Sequence, residues 1–177
     1  MTVEISASHP VDPSLKDRLK RTAEMILEAL AEEEKTVGIH LVNDSEIRKL
    51  NRRFRHRDKS TNVLSFPADF GSIPPTPLSK GGAIPSAPLS KGGPRGDEIG
   101  EIVISLETAA REAAPDEDLE SRLTCLIAHG MLHLIGFDHH GKGHVAWDQA
   151  EKKLESILRN RTREIPKKGL ALDRNEP

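Results

Sequence analysis

The sequence predicts one domain of mixed helix and strand, and three observations carry that expectation. At 177 residues with 36% hydrophobic content, the chain can bury one core but not two. Short runs that alternate apolar and polar residues recur between stretches of helical period. A stretch after Pro115 carries Leu119, Leu123, Leu126, Ile127, Met131, Leu134 and Ile135 on nearly every side, so that helix should lie inside the protein.

Val3 to Ala7 alternates as a strand does, and Asp12 or Ser14 can cap a helix running to about Ala31 with Leu15, Leu19, Ala23, Ile26 and Leu30 on one face. Thr36 to Val42 is a second β-rich run, and Asn43-Asp44-Ser45 opens a second helix with Ile47 and Leu50 inward. Val63 to Phe66 and Ile99 to Ser105 give two further strands, the latter running into a helix from Leu106 to about Ala113. Pro115-Asp116 begins the buried helix. A last amphipathic helix, His144 to about Arg159, turns Trp147, Ala150, Leu154, Ile157 and Leu158 to the core, which makes Trp147 a packing residue. Domain limits follow as 1–159, with residues 160–177 a disordered, charge-rich tail.

From Phe70 to Gly96 the composition turns to Pro, Gly and Ser, and Pro-Leu-Ser-Lys-Gly-Gly occurs at both Pro77–Gly82 and Pro88–Gly93. Such a segment, residues 71–96, buries too little apolar surface to offset its ordering entropy and is expected to be a mobile insert. Its glycines do not form a phosphate loop, because neither repeat closes on Lys followed by Ser or Thr.

The formal charge of −2 excludes a globally basic nucleic-acid binder, so RNA contact has to come from a local patch. Such a patch exists. Arg48, Lys49, Arg52, Arg53, Arg55, Arg57 and Lys59 crowd one short stretch with only Asp58 against them. The single Cys125 cannot form an internal disulfide, the start of the chain lacks a signal-like apolar run, and no stretch approaches the ~20 apolar residues of a membrane span. A cytoplasmic protein without a membrane partner is expected.

His129-Gly-Met-Leu-His133-Leu-Ile-Gly136-Phe-Asp138-His139 carries the chemistry. Residues four apart on a helix lie on one face, so His129 and His133 present adjacent imidazoles. Gly136 can take a left-handed conformation, end the helix and let the chain bring His139 to the same point. Three imidazoles with a fourth position open describe a catalytic zinc site, although nickel, copper or iron also accept such ligands. His140 and His144 compete with His139 as third ligand, and the spacing from Gly136 favours His139. The pattern also matches metzincin ligand spacing, but Gly130 stands where those peptidases carry a glutamate base. A glycine there is read as room for a bulky substrate. Cys125 lies about 12 Å along a helix from His133, too far to share its metal, and is expected in the core.

Leu50-Asn-Arg-Arg-Phe-Arg-His-Arg-Asp-Lys-Ser-Thr-Asn-Val-Leu-Ser-Phe-Pro67, joined to the histidine motif, closely resembles the YbeY family of bacterial endoribonucleases, which act in ribosomal RNA maturation. The resemblance spans roughly Val3 to Leu158, and the Pro/Gly-rich insert is foreign to it. It implies an α+β zincin-like domain: a mixed four-stranded sheet packed with helices, and a metal site at the end of a buried helix. It implies one zinc ion held by His129, His133 and His139, and a basic channel whose arginine is Arg55, the group that grips phosphate. Arg52, Arg53, Arg57 and Lys59 would bind nucleic acid, and Asp138 would orient an imidazole or take a proton. The implied activity is single-strand-specific endoribonucleolysis in maturation of the 16S ribosomal RNA 3′ end and in ribosome quality control, with ribosomal RNA and the small subunit as partners. Two departures stand out: Gly100-Glu101 where the family often has Gly-Asp, and Phe137 where it often has Tyr. Two other functional classes are a non-catalytic zinc-containing ribosome assembly factor and a metal-dependent hydrolase of another substrate. Metal-dependent cleavage of RNA, as against binding without cleavage, separates them.

Overall fold

β1 (Thr2–Ala7) pairs in parallel with β2 (Thr36–Val42), which pairs in parallel with β4 (Glu98–Ser105); β3 (Val63–Pro67) adds to β4 antiparallel, giving the order β1-β2-β4-β3. The computed structural model describes residues 2–30, 32, 34–68, 97–137 and 144–164. Around the sheet stand α1 (Pro13–Ala29), α2 (Asp44–Arg55), α3 (Leu106–Glu112), α4 (Leu119–Leu134) and α5 (His144–Glu164). This is the mixed four-stranded α+β architecture that the sequence leads one to expect. No helix among the described residues is long and apolar enough to cross a membrane.

Strand alternation sorts the core into two layers. Val37, Ile39, Leu41, Ile102 and Ile104 face α1, α4 and α5, joining Leu19, Ile26, Leu27, Leu123, Ile127, Met131, Trp147 and Leu154 in the larger cluster. Val42, Val103, Leu64 and Phe66 face the other way and pack on Ile47 and Leu50 of α2. The two helices that bear the candidate chemistry, α4 and α2, therefore lie on opposite faces of the sheet, and the edge strand β3 contacts both.

Local signals explain the helix boundaries. Asp12 caps α1 by accepting from Ser14 N at 2.9 Å. Asn43 and Glu46 form a reciprocal capping box on α2. α4 starts at Leu119, later than Pro115-Asp116 suggests, because Asp118 is the residue whose side chain accepts from Ser121 N, at 2.7 Å. α5 runs to Glu164, beyond the end expected near Arg159. Residues 69–96, which include the whole Pro/Gly-rich insert, lie outside the described residues, as do 165–177.

Gly100 draws β4, β3 and α4 together at one end of the sheet. A Cβ on it would fall 2.2 Å from the Phe66 carbonyl oxygen and 2.9 Å from Leu134 Cδ2. Only hydrogen fits there, so the C-terminal end of α4 seats directly against the β3–β4 pair.

Candidate metal centre and nucleic-acid interface

Eight residues of α4, from Leu123 to Leu134, are buried, and the outward stripe is what remains for chemistry. It runs through Ser121, Cys125, His129 and His133 at helical spacing. Ser121 and Cys125 are exposed, whereas His129 and His133 are half-buried. The expectation of a core cysteine is thus corrected: the core side of α4 is already filled by its leucines, isoleucine and methionine, and Cys125 falls on the opposite side.

His129 and His133 converge. Their Nε2 atoms lie 3.2 Å apart, and the rings meet edge to face at 4.7 Å and 79°. Two nitrogens each about 2.0 Å from one tetrahedral ion lie roughly 3.3 Å apart, so this pair fits a shared zinc. Asp138, His139 and His140 lie outside the described residues. Among the described residues no group of three His, Cys, Asp or Glu side chains gathers at one point. The helix ends as its glycine requires: Gly136 has φ +90°, with its N–H on the His133 carbonyl and that of Phe137 on Leu132.

Gly130 has a different reason from the one its motif position suggests. A Cβ there would lie 2.9 Å from both Cδ1 and Cγ2 of Ile102. The glycine lets α4 lie close on β4; the space beside it is filled by Ile102 and is not room for a substrate.

The amphipathic pattern of α5 predicts a packing role for Trp147. It is buried, and its ring sits 5.0 Å from His129 and 4.8 Å from His133. Linear spacing could not show this, because the contact depends on how α5 folds back across α4.

The basic residues occupy the far end of α2. Arg52, Arg53 and Arg55 form its exposed last turn, His56 takes a left-handed conformation at φ 55°, and Arg57 and Lys59 follow, also exposed. Two side-chain contacts join the backbone bonds of His56 and Arg57 to the Asn51 carbonyl in holding this turn. Buried Asn51 donates through Nδ2 to the Lys59 carbonyl at 2.7 Å, and Arg48 grips Asp58 with two bonds of 2.8 and 3.1 Å. The Arg48 hydrogen bond holds the Asp58 carboxyl below its ordinary pKa. Arg48 and Asp58 thereby neutralise each other, which leaves Lys49, Arg52, Arg53, Arg55, Arg57 and Lys59 as the net charge. Asn51 carried no sequence signal beyond its place on the inward face.

Phe54 joins this cluster to the sheet. Its ring meets Phe66 edge to face at 5.1 Å, with Arg53 Cζ 5.5 Å from its centroid. Phe66 lies in β3, and β3 in turn packs on α4. The imidazole pair and the basic turn thus stand on either side of one edge strand.

The family model described as Endoribonuclease YbeY matches residues 4–165. An endoribonuclease YbeY of Geobacter metallireducens is 32% identical over 162 residues, covering 89% of this chain and 94% of that one. One of Anaeromyxobacter sp. strain Fw109-5 is 40% identical over 140 residues, or 78% of this chain. The chain spans 62% of the length of that Anaeromyxobacter relative. The solution structure of TM1509 from Thermotoga maritima is 24% identical, with a TM-score of 0.47 over 94% of this chain and 98% of that one. By the extent of the family match and the near full-length likeness to the Geobacter protein, the chain belongs to the endoribonuclease YbeY family.

Proposed function

We propose that this protein is a zinc-dependent endoribonuclease that cleaves single-stranded RNA in the cytoplasm during ribosomal RNA processing, including 16S 3′ end maturation and ribosome quality control at the small subunit. The observation that carries the reading is the imidazole pair at 3.2 Å on α4, within a chain of the endoribonuclease YbeY family. His129, His133 and His139 would hold one zinc ion, which when bound supplies Lewis acidity toward water and a phosphoryl oxygen.

The remaining work falls to the chain's own residues. Arg55, ending α2, offers a planar guanidinium that grips phosphate oxygens through paired hydrogen bonds and offsets the charge that builds as the phosphodiester breaks. Arg52, Arg53, Arg57 and Lys59 follow the RNA backbone as exposed cations. An RNA strand lying along the β3 edge would meet both the basic turn and the end of α4. Asp138, next to His139 in sequence, orients an imidazole or takes a proton.

The test is cleavage of single-stranded RNA by the purified chain with its metal content measured. We expect about one zinc per chain. His133→Ala and His139→Ala should lose zinc and cleavage together, and His140→Ala should keep both. Arg55→Lys keeps the charge but loses the fork, so single-turnover cleavage should fall by about tenfold or more, equivalent to ~1.4 kcal/mol of transition-state stabilisation, with zinc content unchanged. Arg48→Lys should cleave as the parent does. RNA bound but uncut by the zinc-loaded parent would overturn the enzyme reading in favour of an assembly factor, and full-rate cleavage by Arg55→Lys would remove the placed arginine.

A further inference from the structure

The indole of Trp147 does more than fill the core. It lies 5.0 Å from the His129 ring at an interplanar angle of 71° and 4.8 Å from the His133 ring at 45°. The two imidazoles also touch each other, so three rings close on one another, two carried by α4 and one by α5. Trp147 is 3% exposed, while both imidazoles are only half-buried. One buried indole thus contacts both half-buried imidazoles.

Imidazoles on the outward stripe of a helix have several staggered rotamers, and bringing both Nε2 atoms to one point selects one combination. Ordering side chains when a ligand arrives weakens binding; ordering them beforehand strengthens it. A rigid ring packed against both imidazoles restricts those rotamers before any ion is present. The ring is itself held, because Leu154 on α5 is buried in the same core, Ala150 and Leu158 pack against it, and Lys153 Nζ donates to the Ala29 carbonyl at 3.1 Å.

We propose that Trp147 is a positioning residue of the metal centre: its indole holds His129 and His133 in the ligating arrangement, so that the packing of α5 on α4 sets zinc affinity. This rests on the reading of the imidazole pair as a zinc site. Outer residues that orient metal ligands typically change metal affinity by about 10–100-fold when removed.

The experiment compares the full chain with Trp147→Leu and Trp147→Phe in zinc affinity, measured by competition with a chelator, and in the thermal unfolding of the metal-free forms. Leu keeps apolar bulk without a ring, and Phe keeps a ring. The proposal expects Trp147→Leu to fold with zinc bound about 10–100-fold more weakly, and Trp147→Phe to recover most of the affinity. Equal affinity in a folded Trp147→Leu would overturn it, since bulk alone would then suffice. A second measurement holds whether or not the Leu variant folds. The chain has one Trp and no Tyr, so its near-ultraviolet emission reports this indole alone. That emission should change as zinc is added to the metal-free parent, saturating with the measured stoichiometry. A parent that binds zinc with unchanged emission overturns the positioning role only, whereas a parent that takes up no zinc overturns the metal site as well.

Discussion

Asp44, the first residue of α2, ties three elements together through one carboxylate. Its Oδ1 accepts from Ser105 at 2.6 Å and Thr108 at 2.5 Å, and its Oδ2 accepts from Arg111 at 3.1 Å. Partial burial alone would raise its pKa, but the hydrogen bonds from Ser105, Thr108 and Arg111 outweigh that and hold the carboxyl below the ordinary carboxylate range. A carboxyl lowered on folding contributes stability that is fully present above its unfolded pKa and is lost as pH falls through the folded one. Asp44→Asn should therefore unfold at lower urea at pH 7, by about 1–3 kcal/mol, and should show a smaller stability loss below about pH 4 than the parent. Identical acid profiles would show that the carboxylate is not the linked group. Gly130 gives an opposite kind of test. Alanine should gain about 1 kcal/mol of helix propensity, yet its Cβ meets Ile102 from two sides, and overpacking of this kind costs about 1–3 kcal/mol. A net loss near 1 kcal/mol in urea unfolding is expected for Gly130→Ala; a gain would mean that Ile102 yields freely.

Among helices and strands, the turn after α4 leads in sequence to His139, the third ligand of the proposed zinc site. Gly136 has φ +90°, and among the described residues, its chain neighbours aside, no atom lies within 4 Å of where a Cβ would stand, so the strain of Gly136→Ala is that of the backbone. A loss of about 1–2 kcal/mol is expected in thermal unfolding, together with weaker zinc binding because the following segment carries His139. Weaker zinc binding with unchanged stability would place the effect on the segment, not the turn. Periodicity and capping residues made the strands and most helix starts readable to within a residue or two. The start of α4 departs from its sequence signal because Pro115-Asp116 resembles a helix opening, while the capping oxygen that is used belongs to Asp118. The two imidazoles of α4 were readable because both lie on one helix. Trp147 and Asn51 were not, since their contacts join elements whose relative placement no local spacing encodes.

Taken as one fold, the molecule opposes the Nε2 pair of α4 to the cationic turn of α2 across a single sheet, and β3 completes that sheet. Pro67 of β3 faces Gly100 of β4, so the two ends of the intervening stretch emerge close together. Deleting Ser72 to Pro94 and joining the ends with a short linker should leave thermal unfolding and RNA cleavage nearly unchanged, because loop length adds little to closure entropy. A large fall in either would show that the repeats contribute contacts to the domain. The strand order has a consequence for assembly during synthesis. β3 leaves the ribosome before β4, yet among the described residues β4 is its one hydrogen-bonding neighbour, so β3 waits as an apolar strand with both edges open. Such a strand is prone to mispairing with other nascent chains. Arg55, Arg57 and Lys59 precede it and Pro67, which lacks a backbone donor, ends it, so like-charge repulsion and a missing hydrogen bond guard against aggregation until β4 arrives.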